Sequence, residues 1–165
     1  MKQLGVSVIV TDDLVTYRVV TEKLALEHQV CQFHVRRWVG KTLKELRESV
    51  PEEYLWMIAE IKQILDDLAP DGSRRLLELY KQLPARQSEV DQPHTPVDQL
   101  RLLLIRLSNH WSSYRVFDWQ TDVPWTNNGS EQAIGRMKIR SRTVRGYKSE
   151  AGMLNALMVS GSGVC

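Results

Sequence analysis

A run of β-branched residues, Val6, Val8, Ile9 and Val10, ends at the adjacent carboxylates of Asp12 and Asp13. So continuous a run predicts a strand over residues 4 to 11, covered on both faces. Leu14, Tyr17, Val20 and Leu24 then recur at helical spacing and predict a helix over residues 14 to 27. Residues 29 to 33 read as a second short strand. Strand, helix and strand together form a βαβ unit, which implies parallel strands and a right-handed crossover. The unit confines the chain to the α/β class. It also sets Asp12 at the carboxyl end of a strand, the edge at which open α/β sheets bind ligands.

Beyond His34 the pattern becomes helical. Helices are predicted over 35 to 48, 51 to 68, 73 to 83 and 96 to 114, with a polar loop over 84 to 96. Pro51 suits a first helical position, and Glu52 and Glu53 follow at the positive end of the dipole. Leu100, Leu103, Leu104, Leu107 and Trp111 form the stripe of the last of these helices. Residues 118 to 128 read as irregular. A helix over 129 to 141, a basic turn through Gly146 and a final helix over 149 to 160 complete the chain, with a disordered tail to Cys165. The expected architecture is one domain of 165 residues, a core over 1–34 and 119–160 interrupted by a largely helical insertion over 35–118.

Bulk properties exclude several classes. The 22 basic and 20 acidic residues nearly cancel, so only their distribution can indicate a nucleic-acid partner. Cys31 and Cys165 are too few and too distant for a disulfide framework, which favours a reducing, cytoplasmic setting. The amino-terminal apolar run is too short for a signal peptide or membrane span. Neither a Gly-rich phosphate loop nor a nucleophilic Ser or Cys motif is present.

Four features carry candidate chemistry. A carboxylate at Asp12 can ligate a hard divalent cation, although Asp12 or Asp13 can equally cap the following helix. Glu131, in Asn128-Gly-Ser-Glu131, opens a helix and also fits a capping box. Cys31 and His34 stand in a CxxH pair that His28 extends on the amino side. A structural zinc needs four ligands, and His94, His110 and Cys165 lack matching spacing, so a buried cysteine and a packing histidine are the ordinary reading. Arg136, Lys138, Arg140, Arg142, Arg145 and Lys148 place six positive charges with no acid between them. They form either a solvated face or a phosphate-contacting strip. The five tryptophans are expected in the core.

In this order the three signatures resemble the catalytic core of bacterial insertion-sequence DDE transposases. These are Asp12 with Tyr17 five residues on, Cys31-Gln-Phe-His34, and Thr126-Asn-Asn-Gly-Ser-Glu131. That family has a ribonuclease H-like fold, so the resemblance implies a partial ribonuclease H-like core with a helical insertion. The Asp-to-Tyr spacing favours Asp12 over Asp13 as the ligand. Cys31 and His34 are similar to the CxxH pair of Mutator-like transposases and would be architectural, close to the active site. Asp12 and Glu131 would be the catalytic ligands of two Mg²⁺ or Mn²⁺ ions that serve cleavage and transfer of DNA strands at transposon ends. Asn127 and Asn128 would shape the start of the last core helix and contact DNA phosphate. Arg136, Lys138, Arg140, Arg142, Arg145 and Lys148 would bind DNA beside them.

The family core begins with a hairpin bearing a first acidic ligand, upstream of the strand on which this chain opens. The resemblance therefore predicts an amino-terminally truncated catalytic domain, inactive by itself, with an exposed strand edge that invites homo-oligomers. The competing reading is a non-enzymatic helical module that uses its basic strip on nucleic acid or its helices on a protein. A third reading, a small zinc-binding regulator built on Cys31 and His34, predicts stoichiometric zinc in the purified protein.

Overall fold

A computed structural model describes residues 5–85, 95–143, 149, 151, 152, 154 and 155. They divide into two compact units that meet in sequence between Trp125 and Thr126.

The first unit opens with strand β1 (Val8–Thr11), helix α1 (Val15–Leu24) and strand β2 (Glu27–Val30). The strands pair in parallel, with Val8 opposite Glu27 and Thr11 opposite Val30, so the βαβ unit is present. Both strands are shorter than, or shifted from, their expected spans. The second strand starts earlier because its polar residues are satisfied inside the fold. His28 Nε2 lies 2.7 Å from Thr11 Oγ1. The Gln29 side chain, wholly buried, donates to the Tyr114 carbonyl at 3.3 Å and accepts from the Phe117 amide at 3.3 Å. Gln32 donates to the same Tyr114 carbonyl from its side chain, and its backbone amide donates to the Trp125 carbonyl at 2.9 Å. Two buried glutamines, Gln29 and Gln32, therefore fasten the far end of the helical block to the sheet.

The block itself contains α2 (Gln32–Ser49), a 3₁₀ turn (Glu52–Tyr54), α3 (Leu55–Asp67), α4 (Gly72–Lys81) and α5 (Pro96–Asn109). Each helix turns one apolar stripe inward. Val35, Val39, Leu43 and Leu46 of α2 meet Met57, Ile61, Ile64 and Leu65 of α3, and the leucines of α4 and α5 close the cluster. Pro51 precedes the 3₁₀ turn, so the regular helix begins later than expected. Thr95 caps α5 by accepting from the Asp98 amide at 3.1 Å, with Pro96 at the first turn. The α5 helix stops at Asn109, short of its expected end. Beyond it Trp111 folds over the start of α4 and donates from its indole to the Ala69 carbonyl at 2.9 Å. Two further 3₁₀ turns, Ser112–Tyr114 and Val116–Asp118, lead back to the sheet.

Trp111 is buried, but Trp56, Trp119 and Trp125 are each about half exposed, which corrects their expected core placement. Trp119 donates from its indole to Glu27 Oε1 at 3.1 Å, and Trp125 stacks on Phe117. Both rings are thus held at the surface, by the first residue of β2 and by a ring at the margin of the apolar cluster.

The second unit contains α6 (Asn128–Thr143). The expected helix over 149 to 160 and the basic turn through Gly146 lie largely outside the described residues. Among those described, no helix is long and apolar enough to cross a membrane.

Candidate functional site

The parallel pairing of β1 and β2 brings their carboxyl ends to one edge. The Cys31 amide donates to the Thr11 carbonyl at 2.7 Å, and α2 starts at the next residue. Asp12, just past β1, therefore sits beside the first turns of α2. An open cavity of about 520 Å³ is lined there by Asp12, His34, Arg37, Trp38, Lys41 and Arg106. Asp13 and Leu14 complete its wall.

The two neighbouring carboxylates have different surroundings. Asp13, 4% exposed at its side chain, accepts from Arg18 and from Arg106 Nη2, the latter at 2.7 Å. Arg106 also lies over the Trp38 ring, 4.2 Å from its centroid. Asp13 is thus a structural anion that ties β1, α1 and α5 together. Asp12 has no such clamp. Its Oδ1 is buried and has no hydrogen-bond partner. Neither residue caps α1, because Leu14 occupies the cap position and no side-chain cap bond forms. A buried carboxylate oxygen with no hydrogen-bond donor, on a residue that lines a cavity, is the kind of group that a hard cation satisfies. The cavity walls add the cations Arg37, Lys41 and Arg106, the last of them paired with Asp13.

Cys31 is fully buried immediately before α2, and its carbonyl accepts from the Val35 amide at 3.1 Å. His34 lies in the first turn of α2 on the cavity wall. The structure therefore brings Asp12 and His34 to one cavity. Among the described residues no three His, Cys, Asp or Glu side chains cluster as metal ligands.

His28 lies under this edge. The Thr11 hydroxyl donates to the Asp12 carbonyl at 2.9 Å, so it must accept from His28 Nε2–H, leaving Nδ1 buried as an unprotonated nitrogen. Burial lowers the His28 pKa below its ordinary 6.5, and Arg18 lowers it further against the opposing pull of Asp13 and Asp12. His110, against Arg18, is lowered by burial and by the same guanidinium. A histidine with a lowered folded pKa binds its proton more readily once unfolded, so stability rises with pH across the window from the folded value to 6.5. We expect the thermal midpoint to drop as the buffer is taken below pH 6.5, in a melting series run between pH 7.5 and 5. A flat profile would show that neither imidazole is held neutral.

In the second unit, the Glu131 amide donates to the Asn127 carbonyl at 3.0 Å, the first bond of α6. Asn127 therefore occupies the flanking position and Asn128 is the first helical residue. Glu131 is the fourth, one beyond the position from which a capping-box carboxylate reaches back. It is exposed on the first turn. Lys138, seven residues on, shares its face of the helix, whereas Arg136 lies on another. Both are exposed. Arg140 and Arg142 continue α6, and Arg145 and Lys148 lie outside the described residues.

Sequence reasoning missed Arg18, Arg106 and the Gln29–Gln32 clamp. Only Asp13 offered a signal, since an acid next to the candidate ligand invites a cationic partner. Over residues 2–155 the chain matches the family described as Transposase IS66 family. Neither curated proteins nor solved structures give a match.

Proposed function

The chain belongs to the IS66 family of transposases, and from that premise we propose that it takes part in DNA strand cleavage and transfer at transposon ends by DDE chemistry. The observation that carries this reading is the buried, partnerless Oδ1 of Asp12 at the cavity on the strand edge. Asp12 and Glu131 would hold Mg²⁺ or Mn²⁺, which when bound supplies activation of a water or 3′ hydroxyl and stabilises the leaving oxygen. No third acidic ligand is assigned.

The chain's own residues prepare the site. The Thr11 hydroxyl, turned toward the Asp12 carbonyl, and the Cys31 amide, bonded to the Thr11 carbonyl, fix the backbone that presents the Asp12 carboxylate. Arg37 and Lys41 supply positive charge for a phosphodiester beside it. Asn127 and Asn128 would present the α6 amino terminus to phosphate, and Arg136, Lys138, Arg140, Arg142, Arg145 and Lys148 would extend that contact. The parallel βαβ unit, followed by a helical block and then α6, supports a ribonuclease H-like core with a helical insertion. The place of Cys31 and His34 supports the CxxH reading, with Cys31 packing the junction and His34 at the cavity.

Manganese binding by the purified chain, measured calorimetrically, tests the proposal. Asp12→Ala and Glu131→Ala are each expected to weaken it by more than the roughly 10–100-fold that loss of an outer-shell partner costs. Salt-sensitive DNA binding should survive both changes. Unaltered manganese affinity in both variants would favour a non-enzymatic helical module instead.

A further inference from the structure

A second concavity lies away from the Asp12 cavity, between α2 and α3. It holds about 300 Å³. Val39, Leu43, Ile58 and Leu65 form its floor, and Arg36, Lys44, Arg47 and Lys62 stand at its rim. Its only acid, Asp66, lies 3.7 Å from Arg36.

Three of the rim cations differ from the arginines of α4. On α4, Arg74 is held by both Asp71 and Glu78, and Arg75 by both Glu60 and Asp67. Among the described residues, Lys44, Arg47 and Lys62 form no ion pair, and all three are exposed. Three like charges left unneutralised around one groove repel one another unless an anion joins them.

Gly40 also lines the groove. It sits in the middle of α2, where glycine is a poorer helix former than alanine. A Cβ at Gly40 would meet nothing within 4 Å, so packing inside the chain does not require glycine there. The missing side chain instead leaves room for a ligand to approach the helix backbone.

We propose that this groove is a second DNA-backbone site, which continues the phosphate track that begins at the Asp12 cavity. The proposal rests on the reading of that cavity as a DNA site. Arg37 and Lys41 on one face of α2 line the cavity, while Arg36, Lys44 and Arg47 on the adjoining face line the groove. From residue 36 to residue 47 a helix rises about 16 Å, the axial length of about five base pairs of duplex DNA. A polymer with evenly repeated charge suits both faces together, and duplex DNA is such a ligand.

Binding of the full chain to a fluorescent duplex, followed by anisotropy over a range of salt concentrations, tests this. The triple variant Lys44→Gln, Arg47→Gln, Lys62→Gln should lose about 2.7 from the magnitude of the log K against log salt slope. Its affinity should fall at least about tenfold at 0.1 M salt. Gly40→Leu, which fills the groove, should weaken binding without lowering the melting temperature. Arg74→Gln, at a cation already held by two acids, should change neither slope nor affinity. If the triple variant keeps the parental slope while Arg37→Gln, Lys41→Gln weakens binding, the groove proposal fails and the cavity reading stands. If the parent chain shows no salt-sensitive duplex binding, both fail. If the triple variant keeps duplex binding but loses a polyglutamate peptide, the groove serves an acidic protein and the proposal is overturned.

Discussion

Asp13→Ala is expected to destabilise the fold by about 3 kcal/mol, while Asp12→Ala, one residue earlier, leaves the metal-free fold unchanged or up to about 1 kcal/mol more stable. The opposite signs follow from the partners. Removal of Asp13 strands Arg18, whose side chain is 18% exposed, without its carboxylate. Breaking a buried pair from one side costs about 3–5 kcal/mol, and the lower end applies here because Arg106 reaches solvent. Removal of Asp12 takes away a buried oxygen that no group satisfies. Urea denaturation with a chelator present measures both. If Asp12→Ala proved as damaging as Asp13→Ala, Asp12 would be a structural anion and its assignment as a ligand would fall. Added Mn²⁺ should raise the stability of the parent and not that of Asp12→Ala. A residue that costs stability when empty and returns it on binding is what a ligand-holding position looks like.

The second large effect is expected far from that cavity. Gly72→Ala should cost on the order of 3–5 kcal/mol, as much as loss of a buried tryptophan. A Cβ at Gly72 would fall 2.0 Å from Trp111 Cζ2, closer than any real contact. The indole cannot yield by a small rotation, because its Nε1 is bonded to the Ala69 carbonyl and its ring is 3% exposed. It must leave its seat, and the junction of α4 with the end of α5 goes with it. Thermal melting of the variant, together with the fluorescence maximum of the tryptophans, reads the outcome. A red-shifted spectrum with a lowered midpoint is expected, and a midpoint within a degree of the parent would show that the ring can move aside.

The helices of the block were legible because each needs only its own stripe and its own ends. Pro96 and the leucines that follow it announce α5 without knowledge of anything else. The strands were less so. β2 is written in Glu27, His28 and Gln29, residues that no strand pattern favours, and His28 and Gln29 are buried because Thr11, Tyr114 and Phe117 offer partners. Those partners lie up to 88 residues away in sequence, beyond the reach of local pattern. The candidate site divides in the same way. Asp12 was readable from its place after a β-branched run. The clamp on Asp13 was not, since Arg106 comes from a helix 93 residues downstream.

Gln29 and Gln32 grip the Tyr114 carbonyl, so the chain leaves the sheet and returns to it at nearly one spot. The excursion between is a closed circuit with its entrance and exit soldered together. Such a circuit can be lengthened, trimmed or exchanged over generations while the register of the two strands stays as it was, because the entropy of closing a longer loop grows only slowly with its length. The strand register at the edge that presents Asp12 is thereby insulated from change in the helices, provided that Arg106 of α5 is kept to pair Asp13. Any recombinant that exchanges the block should keep these two glutamines and the backbone carbonyl they share.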